Sequence, residues 1–204
     1  MRTSLREAQR QLTRERLLES ALRVFRRRGF IAATLDEIAA DAEVNRGTIY
    51  LHFANKPEIL SALATALDPG FSPLYEGLAR ARTRAELRRA FDGVLRFWDE
   101  QLGEVLVLVR EASFVDASIA DFHARWRQEH TRRLGAILEG CGVPPNAAEA
   151  RAFAFVCMAG ELIHELKRGR PGPSRAALRD ALVDLFEAGR TYSPIGCSQP
   201  TTSR

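Results

Sequence analysis

Residues 44–60 read VNRGTIYLHFANKPEIL. The stretch is too short for an independent helix, and Gly47 sits near its start. Three hydrogen-bonding side chains, Thr48, Tyr50 and His52, crowd into five positions. At about 100° per residue, Ile49 and Phe53 share one face. Gly47 and Leu51 point the opposite way, with Thr48 and His52 on one flank and Arg46 and Tyr50 on the other. An apolar face of two residues under an outer face with four polar side chains describes a short helix fastened to a core and turned toward a polar partner. Lys56 opens the next helix, where a cation opposes the macrodipole at a cost of a few tenths of a kcal/mol. A phosphate docked there would reverse that sign, since helix N–H groups and the ammonium would serve the same anion.

The surroundings supply the frame. Leu17, Ala21 and Phe25, flanked by Leu18 and Val24, form a helical stripe ending at RRRG, so a first helix is expected over about 6–28 with Gly29 as its C-cap. Thr34 and Glu37 have capping-box spacing ahead of a two-turn apolar pattern. Asn45 is an N-cap residue for the next short helix, and Asn55 with Glu58 marks a fourth, with Pro57 tolerated in its first turn. A long helix followed by two short ones about a tight break is the helix-turn-helix arrangement, whose second short helix enters the DNA major groove. In that setting Gly47 permits close approach, Arg46 suits guanine O6 and N7, and Leu51 suits a thymine methyl.

Further along, DPGFSP (68–73) is turn-rich and is the expected linker. Helices are then expected at about 74–81, 84–101, 103–114, 118–140, 146–168 and 174–189. The tail from 191 lacks periodicity and is expected to be disordered. The fold class is therefore all-α: a three-helix DNA-binding unit (6–67) and a larger helical unit (72–190).

Composition narrows the classes. The chain has 204 residues, 46% hydrophobic and 27% charged, which suits a soluble globular protein. Its net charge is +4, and residues 1–60 hold 11 Lys/Arg against 8 Asp/Glu, so the modest excess sits in the expected reader. No apolar run approaches the ~18 residues of a membrane span. Cys141, Cys157 and Cys197 are odd in number and far apart, which gives no disulfide framework or zinc spacing and points to a reducing cytoplasm. No nucleophile elbow, phosphate loop or metal-ligand spacing occurs, so neither a catalytic site, a cofactor nor a metal is expected.

Three segments carry a resemblance to a known family: LLESALRVFRRRGF, TLDEIAADAEV and NRGTIYLHFANKPEIL. The span from about 13 to 67 resembles the DNA-binding domain of the TetR family of bacterial transcriptional regulators, and the GT-x-Y-x-HF-x-x-K run is its most specific part. The resemblance implies that Thr34, Thr48, Tyr50, His52 and Lys56 position the DNA backbone and that Asn45 and Arg46 occupy base-reading positions. It also implies a homodimer on palindromic double-stranded operator DNA, repressing until a small, largely apolar effector releases it. A ligand-dependent activator of the same fold is the alternative within the family. A helical small-molecule binder with an inert helix-turn-helix is the alternative outside it. Two departures stand out. Glu43 replaces the usual glycine before Val44, and acidic Asp36 and Glu37 open the second helix.

The larger unit carries no local motif. Broad apolar faces on its last two helices predict a four-helix dimer interface through Phe155, Ala159, Ile163, Leu178, Leu182, Leu185 and Phe186. Aromatic residues concentrate in the middle helices. Phe91, Phe97, Trp98, Phe114, Phe122 and Trp126 are candidates for an effector cavity, with Arg110, Glu111, His123 and Glu161 as its polar groups. His130 and His164 are further polar candidates.

Overall fold

The computed structural model describes residues 5–167 and 172–190, and the expected disordered tail lies outside them. Among the described residues every regular element is helical. The order is α1 (Leu5–Ala32), α2 (Leu35–Asp41), α3 (Arg46–Tyr50), α4 (Lys56–Ala66), α5 (Asp68–Arg80), α6 (Arg84–Phe97), a π-helical turn (Trp98–Leu102), α7 (Gly103–Ala112), α8 (Ala117–Gly140), α9 (Pro145–Lys167) and α10 (Arg175–Arg190).

Capping residues set most boundaries. Gly29 breaks α1 with φ 74°, a left-handed conformation that glycine adopts at little cost. Thr34 and Glu37 form the capping box of α2. Thr83 and Glu86 form another for α6, and Asp116 caps α8 through Ser118 and Ile119 N–H. Two expectations need correction. The segment 68–73 is the first turn and a half of α5 rather than a linker. Its Pro69 falls in the first turn, where no helical N–H is needed. Gly70 is required by packing, because a Cβ there would sit 2.5 Å from the Phe97 ring. The expected break near 102 is a π turn that carries α6 into α7, with Gly103 N–H donating to Trp98 O.

Two apolar cores form. The first gathers Leu17, Ala21, Phe25, Ile38, Ile49, Phe53, Ile59 and Leu60 from α1–α4. Val105, Leu108, Val109 and Ala112 of α7 join it, as does Ile119 of α8. The second joins α5, α6, α8, α9 and α10 around Phe71, Phe91, Trp98, Leu134 and Phe186. α7 therefore belongs to both, since its Leu106, beside Leu102 of the π turn, faces the second core.

The predicted dimer set splits across the molecule. Leu178, Leu182 and Phe186 are buried within the single chain, where Phe186 packs edge-on against Phe91 of α6. Ile163 is buried in the same core, and Phe155 and Ala159 are half-buried on it. Only Leu185 of the set is well exposed, at 53%. Helical periodicity finds an apolar stripe but does not say which neighbour covers it. Here α6 takes the α10 stripe, assisted by Arg84 on Asp184 and Glu187 and by Arg88 on Asp180. The outward side of α9 and α10 keeps Phe153, Leu185 and the exposed Ala154, Ala177, Ala181 and Ala188.

Candidate functional site

α3 is held from beneath. Ile49 is fully buried and Phe53 nearly so, while Leu51 is 73% exposed and Tyr50 48% exposed on the outer side. Arg14 of α1 secures the exit of α3, donating to His52 O at 3.2 Å while its guanidinium lies 4.3 Å from the Phe53 ring centre. The turn before α3 is tight. Val44 N–H donates to Ala39 O at 3.0 Å, and Glu43 adopts φ 54°. That is the position glycine normally fills at a helix end, so the departure at Glu43 carries real backbone strain.

Most of the candidate DNA-facing polar groups already have partners. Asn45 Oδ1 accepts from Thr48 N–H at 2.8 Å and from the Thr48 hydroxyl at 3.0 Å. Gly47 leaves room for this cap, as a Cβ there would lie 3.3 Å from Asn45 Oδ1. The Thr34 hydroxyl accepts from Glu37 N–H and meets the Glu37 carboxylate at 3.2 Å. The Thr34 backbone N–H holds the Glu37 carboxylate below its ordinary pKa, and the Thr34 hydroxyl, Arg28 and Arg27 act in the same direction. Arg46 pairs with Asp36 at 3.1 Å, with both side chains more than half exposed.

Lys56 has an occupation that sequence did not suggest. Its ammonium donates to the carbonyls of Phe30, Ile31 and Ala33 at 2.7, 2.9 and 2.7 Å. Those carbonyls lie at the C-terminal end of α1, where a cation is favourable. The cation misplaced at the start of α4 is thus well placed for α1. Burial lowers its pKa, opposed by nearby Glu37. Its three N–H groups are spent on the fold, which leaves Lys56 fastening α4 to α1 rather than presenting a free ammonium to phosphate. Beside α3, Arg10, Arg14 and His52 line a shallow basic groove, an extension onto α1. Burial, then Arg10 and Arg14, lowers the pKa of His52.

A cavity of about 300 Å³ occupies the second core. Of the expected residues, Phe91, Trp98, Arg110, His123, Trp126 and Glu161 line it. The others do not. Phe97 packs on Phe71 at 4.9 Å between ring centres, Phe122 packs on the first core, Glu111 is exposed, and Phe114 is 80% exposed. Phe155, Ala159 and Ile163, expected at a dimer interface, also stand on the cavity wall. Sequence reading misses Phe71 and Tyr75 because they fall in and just after the supposed linker. The Tyr75 hydroxyl and His130 Nδ1 share a 2.5 Å hydrogen bond. Burial raises the Tyr75 pKa and pushes His130 down to about 4, with Arg133 adding to the latter, so both are neutral near pH 7.

Comparison with known proteins bears on the family and the fold. Residues 17–63 match the family model described as bacterial regulatory proteins, tetR family. The chain is 36% identical over 99 residues to the uncharacterized HTH-type transcriptional regulator TtgW of Pseudomonas putida, covering 47% of this chain and 72% of that protein. The chain belongs to the TetR family.

A second relative, the HTH-type transcriptional regulator SrpR of Pseudomonas putida, is also 36% identical over 99 residues. That match covers 47% of this chain and 46% of SrpR, so the chain spans about half the length of that relative. For the fold, the crystal structure of a transcriptional regulator from Rhodococcus sp. Rha1 superposes with a TM-score of 0.68 at 23% identity, over 89% of this chain and 99% of that one. As a TetR-family member the chain is a DNA-binding transcriptional regulator and not an enzyme. Among the described residues no helix is long and apolar enough to cross a membrane.

Proposed function

We propose that this TetR-family regulator is a cytoplasmic repressor that binds a palindromic operator as a homodimer and is released by a small, largely apolar effector. The division of labour is an N-terminal reader over about 6–67 and an effector and dimerisation unit over about 72–190. α3 enters the major groove, with Arg46 as the principal base reader and Thr48, Tyr50 and His52 on the backbone. Arg46 suits that role because its pairing with Asp36 is exposed, and exposed pairs exchange readily for another partner.

The observation that carries the release step is the double membership of α7. Leu106 and Arg110 stand on the cavity wall, while Val105, Leu108, Val109 and Ala112 of the same helix pack in the reader core. Glu104 also pairs with Arg26 of α1. A ligand that displaces α7 displaces the base of the reader, shifting the population between DNA-fitting and non-fitting states. The π turn before α7 gives this coupling a mechanical element, since π turns mark local register irregularities. Dimerisation falls to the outward faces of α9 and α10, around Phe153 and Leu185.

Sedimentation and operator binding test the reading together. Leu185→Glu and Phe153→Glu, combined, are expected to yield a folded monomer that has lost cooperative binding to paired half-sites. A dimer that survives both changes contradicts the assigned interface, and a monomeric wild type contradicts the dimer itself.

A further inference from the structure

With the cavity taken as the effector site, as proposed above, its walls define the chemistry that fits. They are mostly aromatic and aliphatic, and their charge comes from Arg110, Arg127 and Glu161. Arg110 Nη2 pairs with Glu161 at 2.8 Å, but Arg110 Nη1 is buried without a partner. Arg127 is half-buried and shows no carboxylate partner among the described residues. The histidines add no charge near pH 7. Burial, then Arg127 and Arg110, lowers His123, and His130 lies near 4. Two guanidiniums thus face one carboxylate, an excess of one positive charge beside an apolar space.

The wall is also polarised along its length. His123, which feels both guanidiniums, and His130, bonded to Tyr75, are seven residues apart on α8, about 10 Å along the axis. One end is cationic and the other aromatic, with the Asp68 carboxylate 3.9 Å from His130 Nε2. We propose that the cavity takes an amphipathic monoanion, a carboxylate on an alkyl or aryl body roughly as long as that separation. Arg110 and Arg127 hold the carboxylate, and Glu161 is the internal carboxylate it displaces. Displacement is cheap because the Glu161 side chain is 57% exposed and turns into water on release. The incoming carboxylate finds a planar guanidinium with an unused N–H edge in apolar surroundings, where charge-assisted bidentate bonding is strongest.

The probes are decanoate and decan-1-ol, which share an alkyl body and differ in charge. Trp98 and Trp126 are the two tryptophans of the chain and both line the cavity, so Trp emission reports occupancy alongside calorimetry. Decanoate is expected to bind at least tenfold tighter than decan-1-ol. Arg110→Met is expected to weaken decanoate at least tenfold and leave decan-1-ol within threefold, with Arg110→Lys intermediate and circular dichroism unchanged. Glu161→Gln is expected to tighten decanoate several-fold. Equal or tighter binding of the alcohol, equal losses for both probes in Arg110→Met, or no binding of either probe would overturn the proposal. A mobility shift separates the two readings. Decanoate that binds without releasing operator removes the release step and leaves the ligand class intact. Operator release by decan-1-ol with no preference for the acid does the reverse.

Discussion

The reading surface and the cavity treat their polar groups in opposite ways. Around α3 the polar atoms are already spent: Asn45 on Thr48, Thr34 on Glu37, and Lys56 on three carbonyls. In the cavity wall, Arg110 Nη1, Trp126 Nε1 and His130 Nε2 are buried without a hydrogen bond. The first region is a preorganised shape, which on the proposed docking meets DNA with little rearrangement. The second carries unmet hydrogen-bonding capacity, which a ligand or its water would meet. A motif residue at the DNA surface can therefore serve DNA binding by holding the surface in shape.

Four changes sharpen or break that contrast. Phe53→Ala empties the packing under α3 and is expected to cost about 3–5 kcal/mol, with operator binding lost. Urea unfolding measures the cost, and a loss below about 1 kcal/mol would show that α3 is not anchored this way. Lys56→Met strands three carbonyls and is expected to cost about 2–3 kcal/mol. The same titration, paired with the salt dependence of DNA binding, distinguishes roles. A structural Lys56 leaves the salt slope unchanged, and a phosphate ligand reduces it by about one. Glu43→Gly relieves the left-handed residue and is expected to raise stability by about 1 kcal/mol, visible as a higher melting temperature. Destabilisation there would mean that the Arg16–Glu43 pair outweighs the strain.

The fourth change gives the cavity a pH signature. The ordinary histidine value of 6.5 is lowered to about 4 at His130. Between those values the unfolded chain binds a proton that the folded chain does not. Stability is therefore complete above about pH 6.5 and falls as pH drops toward 4. His52 and His123 shift in the same direction, so the difference between wild type and His130→Gln isolates this residue. Parallel stability curves for the two proteins would contradict a buried neutral His130.

What is legible in the sequence follows the same divide. Capping and periodicity are local, so Thr34, Asn45 and Asn55 mark α2, α3 and α4 closely. The strain at Glu43 is legible too, because one missing glycine announces it. The occupation of Lys56 is hidden because its partners lie more than twenty residues away at the end of α1. The α10 stripe suggests a partner subunit because apolar spacing cannot tell α6 from a second copy. The cavity is half legible. Trp98 and Trp126 stand out by type, whereas Phe71 and Tyr75 hide behind prolines and a glycine that serve a helix start and a close contact with Phe97.

The central claim is that α3 reads base edges through Arg46, its one cationic side chain in an exposed, exchangeable pair. The direct measurement is the ratio of operator to non-specific DNA affinity for wild type and Arg46→Ala at matched salt, using the DNA upstream of its own coding region as operator. The account predicts that the ratio falls by about 5- to 150-fold, the equivalent of about 1–3 kcal/mol of base discrimination, while non-specific affinity changes little. An unchanged ratio would contradict it.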